Sequence, residues 1–457
     1  MKKLIIFVLA VCICQMATAR DFTLGGVTYS EIDFEPGKCI IKSYLPSRLA
    51  GDVTLPAEVT FGGETYSVTG IEEYAFEGCN GVTSFTLPAS LEYVGRNAFQ
   101  ECGDLVTVIF PQQVTRISPQ TFYGCASLKT FTGRGVQEVG EAEFFNCFSL
   151  SSVSLAQTSL ALMEGAFRNC RSLRTFSVPE DSGLWPGVFS GCESLATVTL
   201  PQSLLEIPDF FFSDCVSLST IRGGSGVISV GSHAFYHCSS LAAFPFPEGL
   251  EEIGESGFGF CSALDFGPLK GESMIIRRFA FAGCESLRAP ELRGVAEIEE
   301  EAFSNCYEMQ SVSFGPDIYR IADRAFRGSD NIREVICERE QPPFLGITSF
   351  SQQVYADAIL FVPEGYRLLY MQSPPWSFFF SVDDSGIEET ESQDMPVITK
   401  EDDGITVSGP AGWLTVVAAD GRVVSSFWKE ETPVKVDLSV SGLYVVSLGG
   451  RSVKIVF

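Results

Sequence analysis

Apolar residues recur at intervals of 22 or 23 residues over most of this chain. The most regular column is cysteine, with Ser329 at its twelfth and last position, and its eleven members are Cys79, Cys102, Cys125, Cys147, Cys170, Cys192, Cys215, Cys238, Cys261, Cys284 and Cys306. A phenylalanine stands three residues before every one of these positions, from Phe76 to Phe326. Each repeat also has an aliphatic residue eight positions before the cysteine and Val, Leu, Met or Ile three positions after it.

A fixed period in the twenties is typical of a solenoid, in which each coil buries its apolar side against the next. The residues after each cysteine alternate between apolar and polar, as in Leu195 to Leu200, and Pro201 then ends the pattern. This alternation predicts one strand per coil and therefore a parallel sheet. Twelve coils at about 4.8 Å each would form a stack about 55 Å long.

Alternation returns near the C-terminus, in Ile405–Val407, Trp413–Val417 and Val434–Leu438. The turn residues 419–422 contain Asp-Gly, which is a strong hairpin signal between apolar strands. The pattern predicts a small β-sandwich over residues 397–457. The segment 383–396 before it has six acidic residues and no basic one, which predicts a solvated acidic linker.

Residues 1–19 have the form of a signal peptide. Lys2 and Lys3 supply positive charge, an apolar run follows, and Ala17 and Ala19 fit the small-residue cleavage pattern. Cleavage is predicted after Ala19. No later stretch reaches the length of about 18 apolar residues that a transmembrane helix needs. The chain is therefore predicted to be exported, to the cell surface or the extracellular medium.

Composition and charge narrow the possible functions. The 457 residues are 45% hydrophobic and carry a net charge of -26, which becomes -28 once the leader removes two lysines. Such a charge repels nucleic acid and anionic lipid. Only two histidines occur, so few groups titrate near neutral pH. A packing-rich, non-catalytic protein is the expectation.

The cysteine column has a structural and a chemical interpretation. Thirteen cysteines follow the leader, an odd number that cannot all pair. One cysteine per coil at a core position is typical of a buried free thiol, whereas metal sites need clustered ligands. We expect a ladder of buried thiols, with disulfides or metal as the alternative. Cys39 and Cys337 flank the two ends of the stack and are predicted to be unpaired.

Nothing in the sequence points to an active site. His233 and His237 are four residues apart, but the further ligands or glutamate of a metal site do not accompany them. No nucleophile elbow, phosphate loop or dinucleotide fingerprint occurs. The prediction is that the protein is not an enzyme and holds no cofactor or metal.

The repeats resemble the BspA-like leucine-rich repeat family of bacterial surface proteins. The segments that carry the resemblance are Tyr74–Pro88, Asn97–Pro111 and Val188–Pro201, and the pattern covers about residues 67–337. Gly267 and Pro290 replace the first apolar residue of the strand, so coils nine and ten are expected to be irregular. The resemblance implies a role in adhesion to matrix proteins and in coaggregation.

The flanking segments resemble parts of the same kind of protein. Residues 20–66 look like the hairpin-rich N-terminal cap, and residues 338–382 look like the closing cap, with Pro374, Pro375 and Trp376 as an aromatic lid. The segment 397–457 resembles the C-terminal sorting domain of type IX secretion, which would deliver the protein to the cell surface. A sandwich module with no sorting role is the alternative.

The exposed face of the sheet is the predicted binding site. Residues five and seven positions after each cysteine should point to solvent, and over seven coils they are mostly Thr or Ser. These hydroxyl columns suit a glycan or an extended protein segment, although Thr and Ser are also well tolerated on any exposed strand. The candidate residues are Thr107, Thr130, Thr132, Thr175, Ser177, Thr197, Thr199, Thr220 and Arg222.

Two functions remain open from the sequence. The first is a secreted or cell-surface binding protein that adheres to host matrix proteins, glycans or other bacteria through the repeat sheet. The second is a structural spacer of the cell envelope that presents the C-terminal module. The sequence leaves the oligomeric state, the ligand and the anchor open.

Overall fold

The computed structural model describes most of the chain after the predicted leader. The described residues are 20–33, 35–45, 48–156, 158–384, 397–401, 404–408, 412–418, 423–429, 432–438, 443–448 and 451–456. The predicted signal peptide 1–19, residues 385–396 of the predicted linker and the predicted turn 419–422 lie outside them. The described residues form two compact units, one up to residue 384 and one from residue 397.

The first unit begins with six strands: β1 (Asp21–Leu24), β2 (Val27–Glu31), β3 (Lys38–Tyr44), β4 (Gly51–Thr54), β5 (Glu58–Phe61) and β6 (Glu64–Ile71). Strands β1 and β2 form one antiparallel hairpin, and β5 and β6 form another. Gly25 and Gly26, and likewise Gly62 and Gly63, have positive φ angles, which tight hairpin turns require. Because β3 then pairs in parallel with β6, this region leads directly into the solenoid.

The solenoid contributes strands β7 to β28. The first eleven are β7 (Val82–Thr86), β8 (Tyr93–Val94), β9 (Thr107–Ile109), β10 (Arg116–Ile117), β11 (Thr130–Thr132), β12 (Glu138–Val139), β13 (Ser152–Ser154), β14 (Ala161–Leu162), β15 (Thr175–Ser177), β16 (Gly183–Leu184) and β17 (Thr197–Leu200). The others are β18 (Glu206–Ile207), β19 (Thr220–Gly223), β20 (Ser229–Val230), β21 (Glu252–Ile253), β22 (Met274–Ile276), β23 (Glu291–Leu292), β24 (Val295–Ile298), β25 (Ser311–Phe314), β26 (Arg320–Ile321), β27 (Glu334–Cys337) and β28 (Phe344–Leu345).

The predicted parallel-sheet solenoid is confirmed, but the prediction of one strand per coil is wrong. Strands that follow the cysteines pair with their equivalents in neighbouring coils, as in β7, β9 and β11, and they form the sheet side of the stack. A second ladder of short strands contains the aliphatic residue eight positions before the cysteine, as in β10, β12 and β14. Two-residue strands are too short to show a period-2 pattern, so the sequence did not reveal them.

The sheet side is interrupted in coils eight and nine, where the structure has no strand after the cysteine. Pro245 and Pro247 in coil eight and Pro268 in coil nine lack the N–H group that a ladder bond needs, and Gly267 adds no side chain. The expected irregularity of coil nine is therefore present. Coil ten keeps a short strand, β23, in spite of its Pro290, and coil eight is irregular although the sequence analysis did not single it out.

The third side of each coil is a tight turn that leads to the cysteine, and we call it the turn side. The residues five positions and one position before the cysteine have positive φ angles in all twelve coils, between 49° and 77°. In coil eight these residues are His233 and His237, whose N–H groups donate to the carbonyls of Glu255 and Gly259 in the next coil at 2.8 Å. Left-handed conformations cost non-glycine residues about 1–2 kcal/mol each, and these bonds between coils offset that cost.

The core runs the full length of the stack. The rings of the phenylalanine column from Phe76 to Phe326 stack face to face, with neighbouring centroids 4.9 to 5.7 Å apart. Phe350 continues the column at 4.8 Å from Phe326. Fully burying one such ring stabilises the fold by roughly 1.5–3 kcal/mol, so this column is a major part of what holds the coils together.

The C-terminal end of the stack is covered by α1 (Gln352–Asp357), β29 (Ile359–Phe361), α2 (Arg367–Met371), a 3-10 turn (Trp376–Phe378) and β30 (Ser381–Asp383). Trp376 is 1% exposed and its Nε1 donates to the carbonyl of Pro343 at 2.8 Å. Its ring lies edge-on to Tyr370 and beside Phe379. Trp376 thus lies in an aromatic cluster at the position that the sequence assigned to a lid.

The second unit contains β31 (Val397–Glu401), β32 (Gly404–Ser408), β33 (Gly412–Ala418), β34 (Val423–Lys429), β35 (Val434–Asp437), β36 (Leu443–Leu448) and β37 (Arg451–Val456). They form two antiparallel sheets, in the orders β31-β32-β35 and β34-β33-β36-β37. Ile405, Leu414 and Val446 belong to the one buried cluster between these sheets, which is the arrangement of a β-sandwich. Within the described parts of the chain, no helix has the length and hydrophobicity needed to cross a bilayer.

Candidate binding site on the sheet side

All nine predicted site residues lie on strands of the sheet side. Thr107 and Thr130 are directly opposite each other on β9 and β11, and their hydroxyl oxygens are 3.0 Å apart. On the next group of strands, Thr175, Thr197 and Thr220 form one row, and Ser177, Thr199 and Arg222 form the parallel row. The side chains of all nine, including Thr132, are exposed or half-buried. All nine side chains therefore lie on the solvent-facing side of the sheet.

The hydroxyl columns over seven coils do not lie on one continuous sheet. In the described residues no bridge joins β13 to β15, so one sheet ends at coil four and another begins at coil five. The short strands of the same two coils still pair, through Glu138 with Ala161 and Val139 with Leu162. The coils therefore separate only on the sheet side. We call this opening between β13 and β15 the seam.

A depression of about 380 Å³ lies at the seam. Five of the nine predicted residues line it, namely Thr175, Ser177, Thr197, Thr199 and Arg222. Val153 and Phe176 also line it and are only half-buried, although the equivalent Val108 and Val198 are fully buried. The sequence analysis missed Val153 and Phe176 because their apolar pattern is the same as that of every other coil.

A second depression of about 490 Å³ lies at the other end of the same strands. It is lined by Lys129, Arg174 and the hydroxyl residues Ser149, Ser151, Ser172 and Ser194. Neither Lys129 nor Arg174 has an ion-pair partner among the described residues, and the same is true of Arg222 in the first depression. Both ends of the seam therefore carry uncompensated positive charge on a chain whose net charge is -26.

The arginines of later coils are arranged differently. Arg277 bonds to Glu252 at 2.8 Å and to Glu299 at 2.9 Å, and Arg320 bonds to Glu297. The hydroxyl of Tyr319 and the guanidinium of Arg320 lower the pKa of the Glu297 carboxyl. These cations are neutralised within the protein, which distinguishes them from the free cations at the seam.

The remaining candidate groups offer no catalytic arrangement. His237 Nδ1 is 3.1 Å from Asp214 Oδ1, and in the described residues no three His, Cys, Asp or Glu side chains come together as a metal site. All thirteen cysteines from Cys39 to Cys337 are buried free thiols. Burial raises the pKa of the Cys39 and Cys337 thiols to about 11, so their thiolate forms are disfavoured.

The stacked coils and their accessible parallel sheet define a leucine-rich-repeat solenoid, a class of binding and scaffold proteins. Residues 64–174, 166–288 and 268–356 match the family described as BspA type Leucine rich repeat region, in six copies. The chain therefore belongs to this family.

Solved structures agree with the fold. A leucine-rich repeat protein from Bacteroides ovatus is 22% identical, with a TM-score of 0.58 over 81% of this chain and 100% of its own. A leucine rich cell surface protein from Faecalibacterium prausnitzii is also 22% identical, with a TM-score of 0.42 over 70% of this chain and 95% of its own. A search of curated proteins finds no match to the sequence.

Proposed function

We propose that this protein is an exported cell-surface protein that binds an extended segment of an extracellular protein at the seam. The observation that carries the proposal is the pair of unpaired strand edges, β13 and β15, that face each other on the sheet side. A surface binding role through the repeat sheet also accounts for the exposed hydroxyl rows. Adhesion to host matrix proteins or to other bacteria would follow from it.

The strand edges favour an extended polypeptide as the ligand. A strand edge presents N–H and C=O groups at the spacing of another strand, and proteins commonly bind peptides by adding a strand there. Side chains of the added segment would alternate, with some reaching the half-buried Val153 and Phe176. Thr175 and Ser177, exposed beside them, would supply hydroxyl groups for further bonds.

The free cations favour a segment that carries acidic residues. Lys129 and Arg174 lie in one depression and Arg222 lies in the other, so a segment that lies along the seam meets positive charge at both ends. Complementary charge mainly increases the association rate and the specificity. Binding should therefore weaken as the ionic strength rises.

The experiment is a binding screen of the chain from residue 20 against matrix proteins and glycans, with matched variants. Thr175→Glu combined with Thr197→Glu places two carboxylates at the seam. Thr107→Glu combined with Thr130→Glu places the same charges on the same face outside it. Loss of binding in the first variant alone supports the seam. Loss in both variants would place the ligand over the whole hydroxyl face, and no saturable binding to any probe would favour the spacer function.

The proposal includes surface delivery by the C-terminal module. Its strands and hydrophobic core are compatible with the sorting domain that the sequence resembles, and the leader would direct the first export step. Deleting residues 397–457 should leave the protein inside the envelope, where protease added to intact cells cannot reach it. Surface exposure of the truncated protein would contradict the sorting role without affecting the binding proposal.

A further inference from the structure

The turn side carries a cleft that the proposed function does not use. It spans coils five to eight, has a volume of about 560 Å³, and lies on the turns that precede the cysteines, whereas the seam lies on the strands that follow them. Its floor includes Gly165, Gly187 and Ser190, and its walls include Arg168, Phe210 and His233.

The cleft exists because of one column of residues. The position five residues before the cysteine is a left-handed turn position, and it has a side chain in every coil except the fifth and the sixth. Gly165 and Gly187 occupy these two coils, and a Cβ atom added at Gly187 would meet nothing within 4 Å. The next two members, Phe210 and His233, are large and planar. Two missing side chains followed by two rings produce a depression with one aromatic wall.

The aromatic wall is well ordered by contacts within the turn side. The rings of Phe210 and His233 stack with centroids 4.9 Å apart and an angle of 13° between their planes. Tyr236 lies against His233 at 5.3 Å. Phe210 is nevertheless 46% exposed, so part of this wall remains open to solvent. Exposed aromatic rings lower the solubility of a folded protein, and where they border a cavity they are typical of binding sites.

Charged and hydroxyl groups complete the lining. Glu164 and Arg168 lie on the side of coil five, and Asp214 lies beside the aromatic wall. Asp214 is held by His237, at 3.1 Å, and by the hydroxyl of Ser213, at 3.1 Å. Its carboxylate is therefore oriented before any ligand arrives, which lowers the entropy cost of binding.

We propose that this cleft binds a pyranose sugar at the end of, or within, a glycan chain. A pyranose has one face of C–H groups that packs on an aromatic ring, and hydroxyl groups around its edge that pair with carboxylates and guanidinium groups. The cleft offers these two surfaces side by side, in Phe210 and His233 on one wall and Asp214, Glu164 and Arg168 around it. A purely apolar ligand would desolvate the Glu164 carboxylate and the Arg168 guanidinium without supplying a hydrogen bond to either. The site is independent of the seam and takes a different class of ligand.

The turn conformation allows variants that change the cleft and keep the fold. Phe210→Ala removes the wall, and Ala142 shows that the same column accepts alanine at a positive φ. Gly187→Asn fills the floor, and Asn97 shows that the column accepts asparagine. Phe279→Ala is the matched control, because Phe279 occupies the same column in coil ten, has the same backbone conformation and does not line the cleft.

The test uses the chain from residue 20 and a panel of immobilised oligosaccharides that end in neutral hexoses, N-acetylhexosamines or sialic acid. At least one oligosaccharide should bind saturably, and Phe210→Ala and Gly187→Asn should each weaken that binding by about tenfold or more. Phe279→Ala and the double glutamate variant of Thr175 and Thr197 should leave it unchanged. The proposal is overturned if no oligosaccharide in the panel binds at concentrations up to roughly 10 mM, or if both cleft variants bind as tightly as the parent.

Discussion

The hydroxyl of Ser329 donates a hydrogen bond to the carbonyl oxygen of Phe303, 2.8 Å away in the preceding coil. Ten cysteine thiols make the equivalent bond to the phenylalanine carbonyl of the preceding coil, at 3.1 to 3.3 Å, as Cys215 does to Phe189. The cysteine column therefore does more than fill space. It donates a hydrogen bond to a buried carbonyl at every step, and this explains why serine, a poor substitute for a hydrophobic residue, is accepted at the twelfth position.

Substitution of one cysteine in this column should separate the contribution of the hydrogen bond to stability from that of packing. Cys215→Ala removes the thiol donor and leaves the Phe189 carbonyl with its other bond, from the N–H of Cys192 at 3.0 Å, so the lost hydrogen bond should lower the free energy of unfolding by about 0.5–1.5 kcal/mol. Cys215→Ser keeps a donor and should cost less. Chemical denaturation followed by circular dichroism compares the two variants. Equal losses would mean that the hydrogen bond contributes nothing and only packing matters.

The buried thiols should be unreactive toward alkylating reagents in the folded protein. A pKa of about 11 for Cys39 and Cys337 leaves about one thousandth of these groups as thiolate at pH 8. Alkylation by iodoacetamide at pH 8 should therefore be slow in the native state and complete after unfolding in guanidinium. Mass spectrometry counts the modified cysteines. Rapid native alkylation of several thiols would contradict the buried ladder.

Glu143 should make stability depend on pH. It is fully buried where most other coils have alanine or another apolar residue, and burial raises the pKa of its carboxyl well above the usual value. Because the folded-state pKa is the higher one, the stability contribution is fully present below the unfolded pKa of about 4.3 and is lost as the pH rises. Relative to Glu143→Ala, the parent should lose up to about 1.4 kcal/mol per pH unit between pH 5 and pH 7.

The control for this prediction is Glu141→Ala, which removes an exposed carboxylate two residues away. Its free energy of unfolding should follow that of the parent over the same pH range. If the curves of the parent and of Glu143→Ala run parallel instead, the Glu143 carboxyl titrates normally in the folded state.

Trp376 should be essential to the closing cap. Its indole is buried, donates to the carbonyl of Pro343 and packs edge-on against Tyr370. Trp376→Ala should lower the free energy of unfolding by about 3–5 kcal/mol, and Trp376→Phe should lower it by less. Hydrogen exchange locates the effect, which should be concentrated in the last coils. Uniform loss of protection along the whole stack would mean that the solenoid unfolds as one cooperative unit.

The sequence predicted the elements that repeat, since a column of identical residues such as Phe76 to Phe326 reports one environment twelve times. It missed elements that produce no pattern. The short strands, such as Arg116–Ile117, are too brief for a period. The bonds that the left-handed turn residues make to the next coil, such as that from the His233 N–H to the Glu255 carbonyl, join backbone atoms. The loss of the strand in coil eight had a local signal in Pro245 and Pro247, which the regular columns around it obscured.

Both candidate sites arise where neighbouring coils stop being equivalent. At the seam, Ser152 and Thr175 look like ordinary successive members of one hydroxyl column, and only their missing pairing separates them. The sequence does contain a signal of the cleft, because Gly165 and Gly187 occupy the same position in successive coils and Phe210 follows in the next. That signal can be interpreted only once the common backbone conformation of this position is known. The sequence repeat predicts the features that all coils share, and it does not predict the differences between neighbouring coils.

The two left-handed residues in every turn have a consequence for how such a protein changes over time. Backbone geometry and main-chain bonds define the turn, so the side chain five positions before the cysteine can be Tyr74, Gln120, Phe210 or Arg324 without altering the coil. Mutation can therefore change the side chains on the turn side one coil at a time. Duplication or deletion of a coil changes which of these side chains are neighbours, and the repeated core residues allow the coils to stack in the new order.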